Sequence, residues 1–174
     1  MGKITLVLGG ARSGKSRFAI RLARKAGRKA AFIATCQGLD AEMARRISSH
    51  RKARPPGWRT VEEPLEISSA VRRLGNAYDV VLIDCLTLWV SNMLMKRSRE
   101  KVIETGATKL IGALGRIRGD AILVSNEVGL GIVPANALAR DFRDICGRIN
   151  QIVARSADEV YFMIAGIPVK IKGE

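Results

Sequence analysis

The sequence predicts an α/β fold with a mostly parallel sheet and helices on both faces, and three observations carry that prediction. Short β-rich apolar runs alternate along the chain with segments of helical periodicity, the order of a sheet built through helical crossovers. Two runs, Val80-Val81-Leu82-Ile83 and Ala121-Ile122-Leu123-Val124, are continuously apolar, as strands buried on both faces of a parallel sheet are. The chain has 174 residues, 47% of them hydrophobic, without repeat, low-complexity tract or linker, so residues 1–174 are expected to form a single domain.

The elements follow in order. Ile4 to Leu8 reads as the first strand and Gly9-Gly10 as its turn. Ser16 to Lys25 then reads as a helix, with Phe18, Ala19, Leu22, Ala23 and Ala26 at helical spacing. Ala30 to Ala34 gives a second strand. Asp40 can N-cap a helix to about Arg51, with Glu42 in its first turn, and Arg54-Pro55-Pro56-Gly57 breaks it. Pro64 can open a third helix, in which Leu65, Ile67, Ala70, Val71 and Leu74 share one face before Gly75-Asn76. Tyr78 to Asp84 is a buried strand. Lys101 to Ile117 is helical but weakened by Gly106, Gly112 and Gly115, and a strand at Ala121 to Val124 and a helix over Ala137 to Ala154 come next. Glu159 to Gly166 and Val169 to Ile171 close the chain as a candidate antiparallel hairpin turning at Gly166 to Pro168.

Composition narrows the function. Thirty Lys and Arg against 16 Asp and Glu give a formal charge of +14, which suits either attraction of polyanions or an Arg-rich solvated surface. The basic residues are spread along the chain with no aromatic residues interleaved as stacking platforms, so no nucleic-acid partner is expected. Cys36, Cys85 and Cys146 are scattered and form no C-x-x-C pair, which fits a reducing, cytoplasmic setting. Met1-Gly2-Lys3 leads straight into Ile4, so no signal peptide is expected. The long apolar stretches are interrupted by Asp84 and Glu127, so neither a membrane span nor an insoluble protein is expected.

Gly9-Gly10-Ala11-Arg12-Ser13-Gly14-Lys15-Ser16 matches G-x-x-x-x-G-K-[ST] between a strand and a helix, the context of a phosphate-binding loop (P-loop). The fold class is therefore P-loop NTPase-type. Glycines allow several backbone N–H groups to face one phosphate, and the helix that follows adds its positive end. Lys15 can serve the β- and γ-phosphates, and the Ser16 hydroxyl can ligate Mg²⁺. Asp84 ends a buried strand at the sheet edge where α/β proteins bind ligands; it can hold Mg²⁺ opposite Ser16, or cap a turn. His50, the single histidine, shares a helical stripe with Met43 and Ile47 and so reads as a core-facing or capping residue. Arg46, Arg51, Lys52 and Arg54 around it also suit a phosphate-seeking nucleophile. Asn126 and Glu127 can orient substrate or organise a turn. Trp58 and Trp89 can stack on a ring, although core packing is the commoner use.

Beyond the P-loop stand Asp40-x-Glu42-Met43-x-x-Arg46-Ile47-x-x-His50-x-x-x-Arg54-Pro55, Trp58-x-Thr60-x-Glu62, Asp84-Cys85-Leu86-Thr87-Leu88-Trp89 and Asn126-Glu127-Val128-Gly129. Arg140-Asp141-Phe142-Arg143-Asp144, Gly147-Arg148, Asn150-Gln151 and Ala165-Gly166-x-Pro168 follow. Together these resemble, over essentially the whole chain, the bifunctional adenosylcobinamide kinase / adenosylcobinamide-phosphate guanylyltransferase family of cobalamin synthesis. The resemblance implies phosphorylation of adenosylcobinamide by ATP or GTP, then GMP transfer from GTP to that phosphate, with Mg²⁺ as cofactor. It places a guanylylated nucleophile at His50. Nucleotide contacts are implied at Gly9 to Ser16, at Ala34, Thr35 and Cys36, at Arg51, Lys52, Ala53 and Arg54, and at Glu62, with Asp84 near the metal or phosphates. For Ala34, Cys36 and Ala53 simple backbone packing is an equal reading. A ring-like homo-oligomer, a trimer, is also implied. Two departures are Ile20, where the family often has Glu, and Ser49, where another polar residue can precede the nucleophile.

Overall fold

The computed structural model describes residues 2–37, 51 and 54–173. Among these, seven strands form one sheet in the order β3-β2-β4-β5-β1-β6-β7. The strands are β1 (Ile4–Gly9), β2 (Ala30–Ala34), β3 (Arg59–Glu62), β4 (Val80–Asp84), β5 (Asp120–Val124), β6 (Glu159–Ile164) and β7 (Ile167–Lys172). Every neighbouring pair is parallel except β6 with β7. The helices are α1 (Lys15–Ala26), α2 (Ile67–Leu74), α3 (Leu86–Met95), α4 (Glu100–Leu114) and α5 (Ala137–Ser156).

Both faces of the sheet are covered, as the apolar runs require. Along β4, Val81 and Ile83 belong to the core shared with α2, α3, α4 and α5, while Val80 and Leu82 belong to the core shared with α1. All four are fully buried, so the strict alternation of strand side chains here fills two cores at once. On its own face α1 lies across β1, β5 and β4, burying Phe18, Ala19 and Ala23.

Four differences from the sequence reading have physical causes. Strand β3 was not expected, because Arg-Thr-Val-Glu carries no apolar run; it is a half-exposed edge strand held by pairing to β2. Helix α3 lay inside what reads as one long apolar stretch. It is buried on much of its circumference and shows no stripe to mark it, and its N-cap is Cys85, whose sulfur accepts from the Leu88 N–H at 3.4 Å. Helix α2 starts at Ile67 rather than Pro64, because the Glu63 carboxylate accepts from the Leu65 and Glu66 N–H groups and holds the preceding residues in a turn. The hairpin turns at Ala165-Gly166, with φ of 50° and 86°, and Pro168 lies within β7, an edge strand where a missing N–H is tolerated.

Gly106 reads as a weak point of α4 but is a fit. A Cβ there would lie 2.9 Å from the Trp89 ring, so only glycine lets α4 close on the buried indole, whose Nε1 donates to the Leu65 carbonyl at 2.7 Å. Trp89 is therefore core. The expected helix from Asp40, and with it Glu42, Met43, Arg46, Ile47, Ser49 and His50, lies outside the described residues, as do Lys52 and Ala53.

Candidate functional site

The site begins where β1 ends. Gly9, at φ 146°, turns the chain so closely that a Cβ would meet the Met163 carbonyl at 2.7 Å and the Ser13 hydroxyl at 2.8 Å. Gly14, at φ 91°, is the N-cap of α1 and offers no side-chain cap, so the first-turn N–H groups of α1 stay open to a ligand. Ser13 N–H donates to the Gly10 carbonyl at 3.3 Å, which closes the loop. The Ser13 hydroxyl is buried without a protein partner, an orphaned group of the kind a bound anion satisfies.

Lys15 Nζ donates to the Gly10 carbonyl at 2.6 Å, curled into its own loop. Burial lowers its pKa; Cys85 and Asp84 oppose that. Burial and the nearby Asp84 in turn push the Cys85 thiol up to about 11, so it is neutral at physiological pH and Asp84 is the working counter-charge to Lys15. Ser16 Oγ donates to Asp84 Oδ2 at 3.1 Å, joining the first turn of α1 to the end of β4. These two strands are not neighbours, because β5 lies between β1 and β4. Helix α1 packs on β5 and β4 as well as β1, and its first turn places Ser16 at Asp84.

A hydroxyl and a carboxylate side by side are hard oxygen donors, the set Mg²⁺ accepts through one carboxylate with phosphates and water completing its shell. No cluster of three or more His, Cys, Asp or Glu exists among the described residues. A metal held at Ser16 and Asp84 therefore relies on its substrate for further ligands, and the residues fit that mode.

Beyond Asp84, β2 delivers Ala34, Thr35 and Cys36. Thr35 is fully buried; its hydroxyl accepts from the Cys85 N–H and donates to the Cys85 carbonyl, both at 2.8 Å, across the cis Asp84–Cys85 peptide. Asn92 Nδ2 donates to the Thr35 carbonyl at 2.7 Å and the Pro64 carbonyl at 3.0 Å, a clamp the sequence reading did not include. Further along the edge, Arg51, Arg54, Pro55, Pro56, Trp58, Thr60 and Glu62 line an open cleft of about 500 Å³. Arg51 is paired with Glu62, and the Arg54 guanidinium stacks on Phe32 at 4.1 Å with its Nε buried and unpartnered. Burial lowers the Arg54 pKa, Arg51 adds to that, and Asp84 and Glu62 oppose it. Asp84 opposes the effect of burial at both Lys15 and Arg54.

The family model described as cobinamide kinase / cobinamide phosphate guanyltransferase matches residues 5–171. The chain belongs to that family. It is 46% identical over 169 residues to the bifunctional adenosylcobalamin biosynthesis protein CobP of Pseudomonas aeruginosa, covering 97% of each chain. It is 44% identical over 179 residues to the bifunctional adenosylcobalamin biosynthesis proteins CobU of Escherichia coli and Salmonella typhimurium, covering 96% of this chain and 98% of each relative.

The site residues expected for a cobinamide kinase / cobinamide phosphate guanyltransferase that fall among the described residues lie along one edge of the sheet. The structure brings Gly9 to Ser16 together with Asp84, and extends from them through Thr35 and Cys36 to Arg51, Arg54 and Glu62. Asn126 and Glu127 organise their loop: the Glu127 carboxylate accepts from the Gly129 N–H at 2.7 Å, and Asn126 is held through its backbone by Thr87 and Asn150. No helix among the described residues is long and apolar enough to cross a membrane.

Proposed function

We propose that this chain phosphorylates adenosylcobinamide with ATP or GTP and then transfers GMP from GTP to the phosphate so formed, releasing pyrophosphate. The observation that supports it most is the Ser16–Asp84 contact, which joins the P-loop to the end of β4; Ala34, paired with both Asp84 and Glu62, continues the same edge to the arginine cleft. From β1 to β2 is three strand steps and to β3 four, about 14 and 19 Å at roughly 4.8 Å per strand. That span suits a single extended nucleoside triphosphate, its γ-phosphate at the P-loop and its base toward Arg51, Arg54 and Glu62.

In the first reaction the Gly9–Ser16 backbone and Lys15 hold the triphosphate while the aminopropanol hydroxyl attacks the γ-phosphorus; the P–O bond to the β-phosphate breaks and a nucleoside diphosphate leaves. Ser16 and Asp84 would hold Mg²⁺, which would supply charge neutralisation of the phosphate oxygens. In the second reaction a neutral His50 nitrogen attacks the α-phosphorus of GTP, forming a P–N bond and expelling pyrophosphate; the phosphate of the cobinamide then takes GMP from His50. Arg51, Lys52, Ala53, Arg54 and Glu62 hold the nucleoside end, with Ala34 and Cys36 contributing backbone. The Thr35 hydroxyl, committed to Cys85, positions Asp84. We also assign a cytoplasmic location, one domain and a homo-oligomeric, trimeric assembly to the chain.

GTP labelled at the α-phosphate is expected to label the protein through an acid-labile, alkali-stable bond, whereas γ-labelled GTP leaves it unlabelled. Label that persists in the His50→Ala variant overturns the covalent assignment.

A further inference from the structure

Strand β5 lies between the strand that leads into the P-loop and the strand that ends in Asp84, so the residues just after Val124 stand between the phosphate loop and that carboxylate. The parallel ladder to β1 does not stop with the strand. The Ala121, Ser125 and Glu127 N–H groups donate in turn to the Lys3, Val7 and Gly9 carbonyls, at 2.8, 3.0 and 3.1 Å. With Val7 paired to Val124, this continuation sets Asn126 opposite Gly9, the first residue of the loop. Val124 is also paired to Asp84, so Asn126 lies one strand over from Asp84, about 5 Å, and two residues further along, about 7 Å.

The same alternation fixes the face. Ile122 and Val124 belong to the core beneath α1, and Ala121 and Leu123 to the core on the other face. Ser125 follows the latter pair: its hydroxyl meets Thr87 Oγ1, at the start of α3, at 3.2 Å. Asn126 therefore falls on the α1 face. Asp84, in step with Val80 and Leu82, is on that face too, where Ser16 donates to it.

At Asn126 the backbone is held and the side chain is not. Its N–H donates to Thr87 Oγ1 at 2.7 Å and its carbonyl accepts from Asn150 Nδ2 at 3.1 Å, and both partners are buried. Ser125 and Glu127 are tied to β1 on either side of it. The half-buried Asn126 amide itself has no hydrogen-bond partner among the described residues. The neighbouring Glu127 carboxylate, by contrast, is committed to the Gly129 N–H. A rigid backbone that carries an unengaged amide to the edge of a phosphate loop makes a pre-organised donor. A neutral amide sits near both a carboxylate and a phosphate without repelling either, and its Nδ2 can donate to a phosphoryl oxygen.

We propose that Asn126 is a further catalytic residue of the kinase step, its Nδ2 donating to an oxygen of the γ-phosphoryl group as that group passes to the acceptor hydroxyl. This rests on the function proposed above. The acceptor oxygen bonds to the γ-phosphorus, the bridging oxygen leaves with the nucleoside diphosphate, the hydroxyl proton passes to solvent, and Asn126 keeps both of its own protons. Thr87 and Asn150 act as positioning residues through its backbone.

The test uses the full-length protein with the variants Asn126→Ala and Asn126→Asp, and two assays: phosphorylation of adenosylcobinamide by ATP or GTP, and GMP transfer from GTP to adenosylcobinamide phosphate. Both variants leave the backbone anchors in place, so melting temperatures should match the wild type. Each is expected to lower kcat for phosphorylation about 100-fold with the nucleotide KM within about threefold, the mark of a contact made in the transition state. GMP transfer, in which the γ-phosphorus does not react, should keep its kcat within about fivefold. Wild-type phosphorylation rates in Asn126→Ala overturn the assignment. So does an Asn126→Asp variant that stays active, since a carboxylate accepts but cannot donate. Equal loss of both activities, with or without a lower melting temperature, overturns it in favour of a part in shaping the P-loop. A wild-type protein that does not phosphorylate adenosylcobinamide overturns the proposed function, and this inference with it.

Discussion

The stretch of the sheet edge over β4, β2 and β3 and the two segments that flank the P-loop strand, after β5 and at the β6–β7 tip, differ in polarity and exposure. The first is polar and partly buried: Lys15 curls onto Gly10, Ser16 meets Asp84, and the Arg54 guanidinium lies over Phe32, while Arg51 and Glu62 beside it stay exposed. The second is apolar and exposed, its aliphatic side chains set on turns. The first side holds charge in place at a cost in desolvation, which phosphate binding offsets; the second holds unburied apolar area.

The sharpest way to separate the two sides is Lys15→Met. Loss of the P-loop cation is expected to lower kcat/KM about 10³-fold for both phosphoryl transfer and GMP transfer, while the affinity for adenosylcobinamide stays within twofold. A parallel loss of corrinoid affinity would tie acceptor binding to the charged stretch. The same variant has a stability signature. Because burial lowers the Lys15 pKa, the ligand-free protein carries the ammonium at a cost at neutral pH, and that cost fades as pH rises through the lowered folded-state value. The variant should thus melt no lower than wild type at pH 7, with its advantage shrinking at higher pH, in thermal denaturation without nucleotide.

Next in size is selective alkylation. Burial pushes Cys85 up to about 11 and Cys146 up to about 12, so at pH 7.5 both stay protonated and shielded, whereas Cys36 is half-buried at the end of β2. Iodoacetamide should modify Cys36 first, GTP should slow it severalfold, and adenosylcobinamide alone should not. Mass spectrometry of the labelled peptides decides this, and protection by the corrinoid would place that ligand over β2.

The smallest effect comes from the scaffold behind both surfaces. Gly112 of α4 is exposed with nothing near its Cβ position, and Gly112→Ala should stabilise by about 0.5–1 kcal/mol. Gly106→Ala, which drives a methyl into Trp89, should destabilise by about 1–3 kcal/mol. Urea denaturation measures both, and the KM values of each substrate should stay put.

Much of the polar side was legible because its chemistry demands particular residues at fixed spacing: Gly9, Gly14, Lys15 and Ser16 each have a role that few other side chains can take. The buried strands were legible because continuous apolar runs this short have few other uses in an α/β chain. Strand β3 and helix α3 escaped for opposite reasons, one too polar for its sheet and the other too evenly apolar for a stripe. The hairpin was readable but its turn was not, because Ala165 takes a positive φ that alanine rarely adopts. The exposed aliphatic flank carried no sequence signal at all, since Leu130, Ile132 and Val133 look like core residues until the fold leaves them outside.

By itself the sequence determined the alternation of strands and helices, the presence of a phosphate loop and the family to which the chain belongs, because these depend on local periodicity and on residue types at short spacing. Only the tertiary structure decided that β5 separates β1 from β4, that α1 nonetheless carries Ser16 across to Asp84, and that apolar groups border the P-loop on both sides. Strand order and helix placement are set by how two cores pack at once on a twisted sheet, a condition spread over the whole chain that no local window contains.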